Sequence, residues 1–310
     1  MTKKKLLVSL IVLSLGLQLC LASNKNVGTT SGQFLKIGLG GKPTGMSGAY
    51  TGIVDDVSAI YWNPGGLGFI TKKQILAQHI EWFQDIKYEY LAYAHPIKDL
   101  GTLGVALHYL YIDDIERRLG DTDLADGTFG AKDRAGVLSF SRIFLEVLSV
   151  GLNLKYISST IDNYEADAFA FDLGFLYKTP VEKLNCGLVV QNLGTKMKFI
   201  EEEDPLPLIV KLGFGYKPFF DDLTCGLDVN FPNDNDVNGA VGLEYALHFF
   251  KDKFCLPVRA GYKTLNDFEA VDGLSAGIGF CFTGYGSIDV AWSPYGDLGD
   301  TYRMSVLFEF

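Results

Sequence analysis

Beyond Leu21 the chain has no apolar run of the roughly twenty residues that a helix needs to cross a bilayer. It is short of positive charge: 27 Lys and Arg stand against 37 Asp and Glu, a net charge of −10. That balance argues against nucleic acid as a partner, because phosphate binding needs basic surface. Cysteine is sparse. Past the N-terminal stretch there are Cys186, Cys225, Cys255 and Cys281, none in a C-x-x-C pair, so a zinc or redox motif is not expected. Histidine is as scarce: His79, His95, His108 and His248 are scattered, with no motif pairing any of them to a nucleophile. Asp121, Asp123 and Asp126 precede Gly127, but their spacing departs from that of a calcium loop. They and the acidic run 201–204 are expected to be solvated loop charge. No catalytic residue, cofactor or resident metal is expected.

What the chain does have begins with Lys3, Lys4 and Lys5, followed by an apolar run from Leu6 to Leu21 and then Ala22-Ser23. A positive start, a short apolar stretch and small residues after it describe a secretory signal peptide over 1–22, with cleavage near Ala22. The remainder is rich in Phe (22), Tyr (16) and Gly (35), the mix that strands and tight turns favour. Past residue 70 it settles into period-2 alternation. In 147–157, Leu148, Val150, Leu152, Leu154 and Tyr156 alternate with Ser149, Gly151, Asn153 and Lys155. The same holds in 168–177 and 240–249, with Asp172 and Glu244 on the polar faces. One face of each strand is bulky and apolar, the other small or polar. Segments of about ten residues with this pattern suit tilted strands that face lipid outward and a lumen inward.

The alternation predicts an all-β fold, a transmembrane antiparallel β-barrel of about fourteen strands over 71–310. The expected segments are 71–82, 86–96, 101–112, 133–144, 147–158, 164–177, 184–193, 205–217, 222–231, 237–250, 254–264, 273–283, 285–293 and 301–310. The expected outer loops are 83–85, 113–132, 159–163, 194–204, 232–236, 265–272 and 294–300, mostly longer than the turns between them, as in outer-membrane barrels. The same alternation directs Asn153, Lys155, Asp172, Lys211, Asp228, Glu244, Arg259, Lys263, Asp289, Arg303 and Glu309 into the lumen. There opposite charges can pair with one another or with whatever fills it. Leu103, Val105, Leu107, Leu152, Leu154, Phe171, Phe175, Leu212, Phe214, Leu243 and Val306 should face lipid. Pairing of the strands around 265–272 makes Cys255 and Cys281 inward-facing neighbours, either bonded or as two thiols. The last strand, with Tyr302, Met304, Val306, Phe308 and Phe310 on one face, resembles the terminal strand that outer-membrane barrel-assembly machinery recognises.

Residues 23–70 differ. They are Gly-rich and do not alternate; Gly38, Gly40, Gly41, Gly45 and Gly48 permit close backbone approach and positive φ. Asp55 or Asp56 can cap a short helix from Val57, which must end by Asn63 because Pro64 follows; Gly65 and Gly66 then allow a reversal into the first strand. The pieces Gly45-Met46-Ser47-Gly48-Ala49-Tyr50, Asp55-Asp56 and Tyr61-Trp62-Asn63-Pro64-Gly65-Gly66-Leu67 resemble the N-terminal signature of PorV/PorQ-type proteins, a branch of the FadL-like barrels. Gly65 stands where the commoner family pattern has Ala. The resemblance implies fourteen strands with residues 23–70 folded into the lumen as a plug, and Tyr61 and Trp62 packed against plug or wall. It also implies a protein of the cell outer membrane in contact with its lipid. Within it, a non-enzymatic accessory of protein secretion or surface attachment, with secretion-system proteins as partners, is the first expectation. A FadL-like passive channel for a small hydrophobic or amphipathic molecule is the alternative, weakened by the missing long outer loops.

Overall fold

The computed structural model describes residues 26–121, 123–218, 220–264 and 273–310. The expected signal peptide and the 265–272 connection lie outside the described residues. Fourteen strands close into one antiparallel barrel: β1 Gln74–Glu81, β2 Lys87–Ile97, β3 Gly101–Arg117, β4 Gly127–Phe144, β5 Leu148–Ile161, β6 Tyr164–Lys178 and β7 Leu184–Gly194. The circuit continues through β8 Ile209–Tyr216, β9 Leu223–Pro232, β10 Asn238–Phe249, β11 Phe254–Lys263, β12 Leu274–Phe282, β13 Gly286–Pro294 and β14 Asp300–Glu309. Each strand pairs with its neighbour in sequence, and β14 closes on β1 with Val306 opposite Ala77. Closure removes the free edges that an open sheet would present, and it lets every strand satisfy its backbone without water. No helix among the described residues is long and apolar enough to cross a membrane.

Alternation sets the two faces. Leu152 lies opposite Leu173 and Leu154 opposite Phe171, while between them Asn153 lies opposite Asp172. The first set is exposed on the outside: Leu107, Leu138, Leu154 and Leu243 each leave more than half of their surface uncovered. The second set is buried, with Asn153, Asp172 and Asp228 fully enclosed. A belt of uncovered Leu, Val and Phe around a polar interior is stable only with hydrocarbon outside. Leu212, Phe214, Phe175 and Val306 share the outward face but are half-buried by their neighbours.

Several boundaries differ from the sequence expectation. β3 and β4 run on to Arg117 and back from Gly127, so the expected 113–132 loop shrinks to 118–126. The pairing continues across a bulge between Ile112 and Ile115, with Asp114 at φ 60°; an unpaired residue there breaks the alternation that marks a strand. Likewise 159–163 shrinks to a two-residue turn at 162–163. Length expected in loops went into strands, so β3 to β6 stand taller than the rest of the wall. The first strand begins at Gln74 rather than 71, and β8 at Ile209 rather than 205. Inside 194–204 a two-residue hairpin pairs Met197 with Asp204.

Leu154→Arg, on the outer face, is expected to destabilise the barrel by about 2–4 kcal/mol in lipid vesicles. Leu119→Arg, in the 118–126 connection with a residue already 83% exposed, should change stability little. Denaturant unfolding in vesicles measures both, and equal effects would place the belt wrongly.

Candidate functional site

Residues 26–70 pack against the inner face of the wall, and what positions them is the absence of side chains. Gly261 (β11), Gly242 (β10), Gly226 (β9) and Gly215 (β8) are successive register partners. Gly213 (β8) lies opposite Gly187 (β7), and Gly174 (β6) opposite Gly151 (β5). Together they form a track around half of the barrel. The N-terminal segment lies along it: a Cβ on Gly242 or Gly261 would strike Met46, on Gly226 Ala49, on Gly187 Thr51, on Gly215 Ile53 and Gly52, and on Gly151 or Gly174 Pro64. The segment answers with its own glycines. A Cβ on Gly45 would stand 2.9 Å from the Gly277 Cα, and one on Gly65 2.9 Å from the backbone of Phe175 and Leu176. Of the signature glycines Gly45, Gly48, Gly65 and Gly66, only Gly48 has positive φ, at 76°; the others serve by size alone.

Polar wall residues saturate the segment's backbone where it does not bond to itself. The Gly41 N–H donates to Ser305 Oγ (2.9 Å), Ser47 N–H to Ser275 Oγ (2.9 Å), Thr51 N–H to Asp228 Oδ2 (3.0 Å) and Val57 N–H to Gln74 Oε1 (2.8 Å). In the other direction Asn153 Nδ2 donates to the Ile60 carbonyl (2.7 Å), Gln191 to Tyr61 (2.5 Å) and Arg303 Nε to Gly38 (3.1 Å). Buried backbone groups left unpaired would each cost about 1–3 kcal/mol. These contacts require side chains at inward positions, which is why the wall's inner face mixes glycine with Ser, Asn, Gln and Asp.

The segment has two one-turn helices, Gly41–Thr44 and Ala59–Trp62, the second shorter than expected from Val57. Asp56 Oδ1 accepts from the Ser58 N–H at 2.8 Å and so shapes its entry. Asn63 ends it: its Oδ1 accepts from Gly65 N–H (3.0 Å), while its Nδ2 donates to the Thr51 and Phe175 carbonyls (2.9 and 3.0 Å). Pro64–Phe69 then continues as a 3-10 turn before β1, rather than reversing directly. Tyr61 and Trp62 tie the segment together, with Tyr61 Oη donating to Leu35 and Trp62 Nε1 to Leu39. Asp55 does not cap the helix. It pairs with Lys42 at 2.7 Å and accepts from Tyr50 Oη at 3.0 Å. The protein around Asp55 excludes bulk water and would push its carboxyl up, although much of the side chain is accessible; the Lys42 charge and the two hydrogen bonds hold it below the usual range. Burial pushes Asp56 up, with the adjacent Asp55 charge adding to it against Lys42.

The remaining lumenal residues form pairs. Lys155 meets Asp172 at 2.8 Å, where Asn153 and Asn192 also bond. Arg259 bridges Glu244 and Asp289 at 2.6 Å each. Cys255 and Cys281 are joined by a disulfide across β11 and β12, Cα to Cα 5.0 Å. Tyr302, Phe308 and Phe310 stand apart from this cluster, exposed on the outer side. His108 is buried against Tyr88, and His79 pairs with Glu89 on the outer surface. Among the described residues no group of three His, Cys, Asp or Glu side chains could hold a metal.

Among the described residues Lys211, Lys263 and Arg303 stand apart from that pairing. Lys211 Nζ lies 4.9 Å from the ring centre of Trp62, and the Arg303 guanidinium 5.1 Å from that of Trp82. Both border a cavity of about 280 Å³ between the segment and the wall. Asn235, Asp236, Thr264, Gly273 and Tyr295 line it from the wall side, and Gly38, Thr44, Gly48 and Trp62 from the segment. Lys36, near its rim, pairs with Asp234 at 2.9 Å, which also accepts from Gln33. Sequence reasoning missed the glycine track and the wall serines and glutamines that bond the segment. Their only signal is small or amide residues at inward positions of consecutive strands.

Gly242→Val and Gly226→Val are expected to destabilise the barrel by about 1–3 kcal/mol through overpacking and to raise amide exchange over 45–52. Gly136→Val, where a Cβ meets nothing within 4 Å, should do neither. The Asp234 anchor gives a pH dependence. Burial pushes its carboxyl up, but hydrogen bonds from Thr30, Gln33 and Lys36 hold it below its ordinary value of about 3.9. Its contribution is complete above that value and is lost as pH falls through the depressed one. Protection from amide exchange over 26–36, taken relative to the intrinsic rate at each pH, should therefore fall on acidification below about pH 4, and Asp234→Asn should show the reduced protection already at pH 7.

Residues 16–161 match the model of an uncharacterised protein family, UPF0164, a likeness that spans the N-terminal segment and the first five strands. No curated protein matches the chain by sequence. Among solved structures it resembles the toluene transporter TodX of P. putida, with 11% identity and TM-score 0.60 over 88% of this chain and 99% of that one. It also resembles the toluene transporter TbuX of Ralstonia pickettii, with 12% identity and TM-score 0.54 over 88% and 97%. A FadL homologue of Pseudomonas aeruginosa aligns over 94% and 99%, with 13% identity and TM-score 0.53. At these identities the likeness is one of fold alone, a closed antiparallel β-barrel.

Proposed function

We propose that residues 23–70 are a lumenal plug and that the barrel is a non-enzymatic, passive conduit for small amphipathic or hydrophobic molecules across the outer membrane. The observation that carries this is the cavity between plug and wall, lined by Tyr61 and Trp62 from the segment and by residues of β7 to β14. Likeness of fold to proteins described as toluene transporters supports it. On this reading 1–22 is a cleaved signal peptide, and Tyr302, Phe308 and Phe310 present the last strand to the assembly machinery.

One observation favours the other expectation, a PorV/PorQ-type accessory that engages secretion-system proteins. β3 to β6 extend past their neighbours. Residues 112–117 of β3 have no partner on the β2 side, whose pairing stops at Tyr111. The stacked rings of Tyr109 and Tyr111 stand at their foot, 4.8 Å apart. An unpaired strand edge can accept a strand from another chain.

Gly65→Leu separates the two. Its side chain must displace the wall backbone at Phe175–Leu176 and so loosen the plug. For a conduit, uptake of a hydrophobic dye into proteoliposomes rises several-fold, while surface display of exported proteins in cells is unchanged. Unchanged uptake with lost display would support the accessory.

A further inference from the structure

We infer that the cavity is an anion-binding site, made for the carboxylate or phosphate group of a compact molecule. The reason is a cluster of cations that no ion pair neutralises among the described residues. Four cations border the cavity: Lys36, Lys211, Lys263 and Arg303. Lys36 is neutralised by Asp234. The other three have no carboxylate within ion-pair distance among the described residues, and Asp236 is the one further acidic residue in the lining. Lys211 is 8% exposed and Arg303 2%, so water does not compensate them well.

Arg303 spends its donors on neutral oxygens, the Gly38 carbonyl, Thr301 Oγ1 and Tyr295 Oη. Lys211 lies against the face of Trp62, and no ion pair joins it to Asp228, which faces the lumen from the neighbouring strand. Asp228 uses Oδ2 on the Thr51 N–H and leaves Oδ1 without a hydrogen-bond partner. In the same cavity Thr44 Oγ1 is buried with no hydrogen-bond partner. Elsewhere in the lumen the chain pairs its charges closely, as Arg259 does with Glu244 and Asp289. A buried ammonium or guanidinium without a counter-ion is costly. Two of them and an unsatisfied hydroxyl facing one space are relieved together by an oxyanion, which accepts charge-assisted hydrogen bonds from all three.

The cavity also limits the rest of the ligand. About 280 Å³ is small for a ligand pocket, and the rings of Tyr61, Trp62 and Tyr295 line it beside the cations. A compact body, planar or short, fits this space, whereas a long acyl chain does not. The inference deepens the conduit reading of the same cavity and rests on it for what the site serves. Binding is measured without flux, however, so failure to bind and failure to pass are separate results.

The test is equilibrium dialysis of radiolabelled benzoate against the full-length folded barrel in detergent, with inorganic phosphate, toluene and decanoate as competitors. Benzoate should be retained at one site, displaced by phosphate and weakened by raising salt from 20 to 500 mM. Lys211→Met with Lys263→Met should lower its affinity at least tenfold, and Lys211→Arg should restore most of it relative to Lys211→Met. The inference is overturned if neither benzoate nor phosphate binds the unmodified barrel, or if the double variant binds benzoate as well as the parent. Displacement by toluene as effective as by phosphate would make the charge irrelevant, and tighter binding of decanoate than of benzoate would remove the compact ligand.

Discussion

A backbone can lie against another backbone only where neither carries a side chain, and this barrel arranges that condition around half of its inner circumference. Gly261, Gly242, Gly226 and Gly215 succeed one another across the sheet, and the segment from Gly45 to Gly66 rests on them and their neighbours. Close approach has a second requirement. A strand wall has no spare backbone donors or acceptors, since its own ladder uses them. The segment's backbone must therefore find side chains, and Ser305, Ser275, Asp228, Asn153, Gln191 and Gln74 supply them. Track and bonds are interdependent: without the glycines the side chains could not reach, and without the side chains the contact would bury unpaired amides.

The electrostatics follow from the same enclosure. The segment and the wall together bury Lys155, Asp172, Arg259 and Asp289, so charge there is favourable only when compensated. Lys155 with Asp172 and Arg259 with Glu244 and Asp289 meet that condition at 2.6–2.8 Å. Lys42 with Asp55 does so within the segment itself. Close pairs of this kind add less to stability than would be lost if one partner were removed, and they join strand to strand within the wall or residue to residue within the segment. Among the described residues Lys211, Lys263 and Arg303 break the pattern, and all three line the cavity between segment and wall.

The barrel was legible in the sequence because period-2 alternation survives single exceptions: ten residues of Leu, Val and Phe against Ser, Gly and Asn identify a strand whatever one position does. Where alternation failed, so did the boundary. The bulge at 112–115 shifts the register, and residues that read as a loop proved to be wall. The Tyr61-Trp62-Asn63-Pro64 stretch was legible for local reasons, since Pro64 must stop a helix, and Asn63 is the residue that bonds Gly65, Thr51 and Phe175 at the stop. The glycine track was not legible. Glycine in one strand is unremarkable, and only the pairing of β5 to β11 shows that Gly151, Gly174, Gly187, Gly213, Gly226, Gly242 and Gly261 form one surface. For the same reason the surplus of Lys211 and Arg303 was hidden, because the sequence lists charges without showing which of them meet.

The central claim is that the N-terminal segment, seated on that surface, is what closes the barrel. Ion conductance in a planar lipid bilayer measures this most directly, comparing residues 23–310 with the same chain lacking residues 32–66, each shown to be folded by its β-sheet circular dichroism. The account predicts a silent parent chain and large, long-lived conductance steps for the deletion. A folded deletion variant that stays silent, or a parent chain that conducts as much as the deletion, would contradict it.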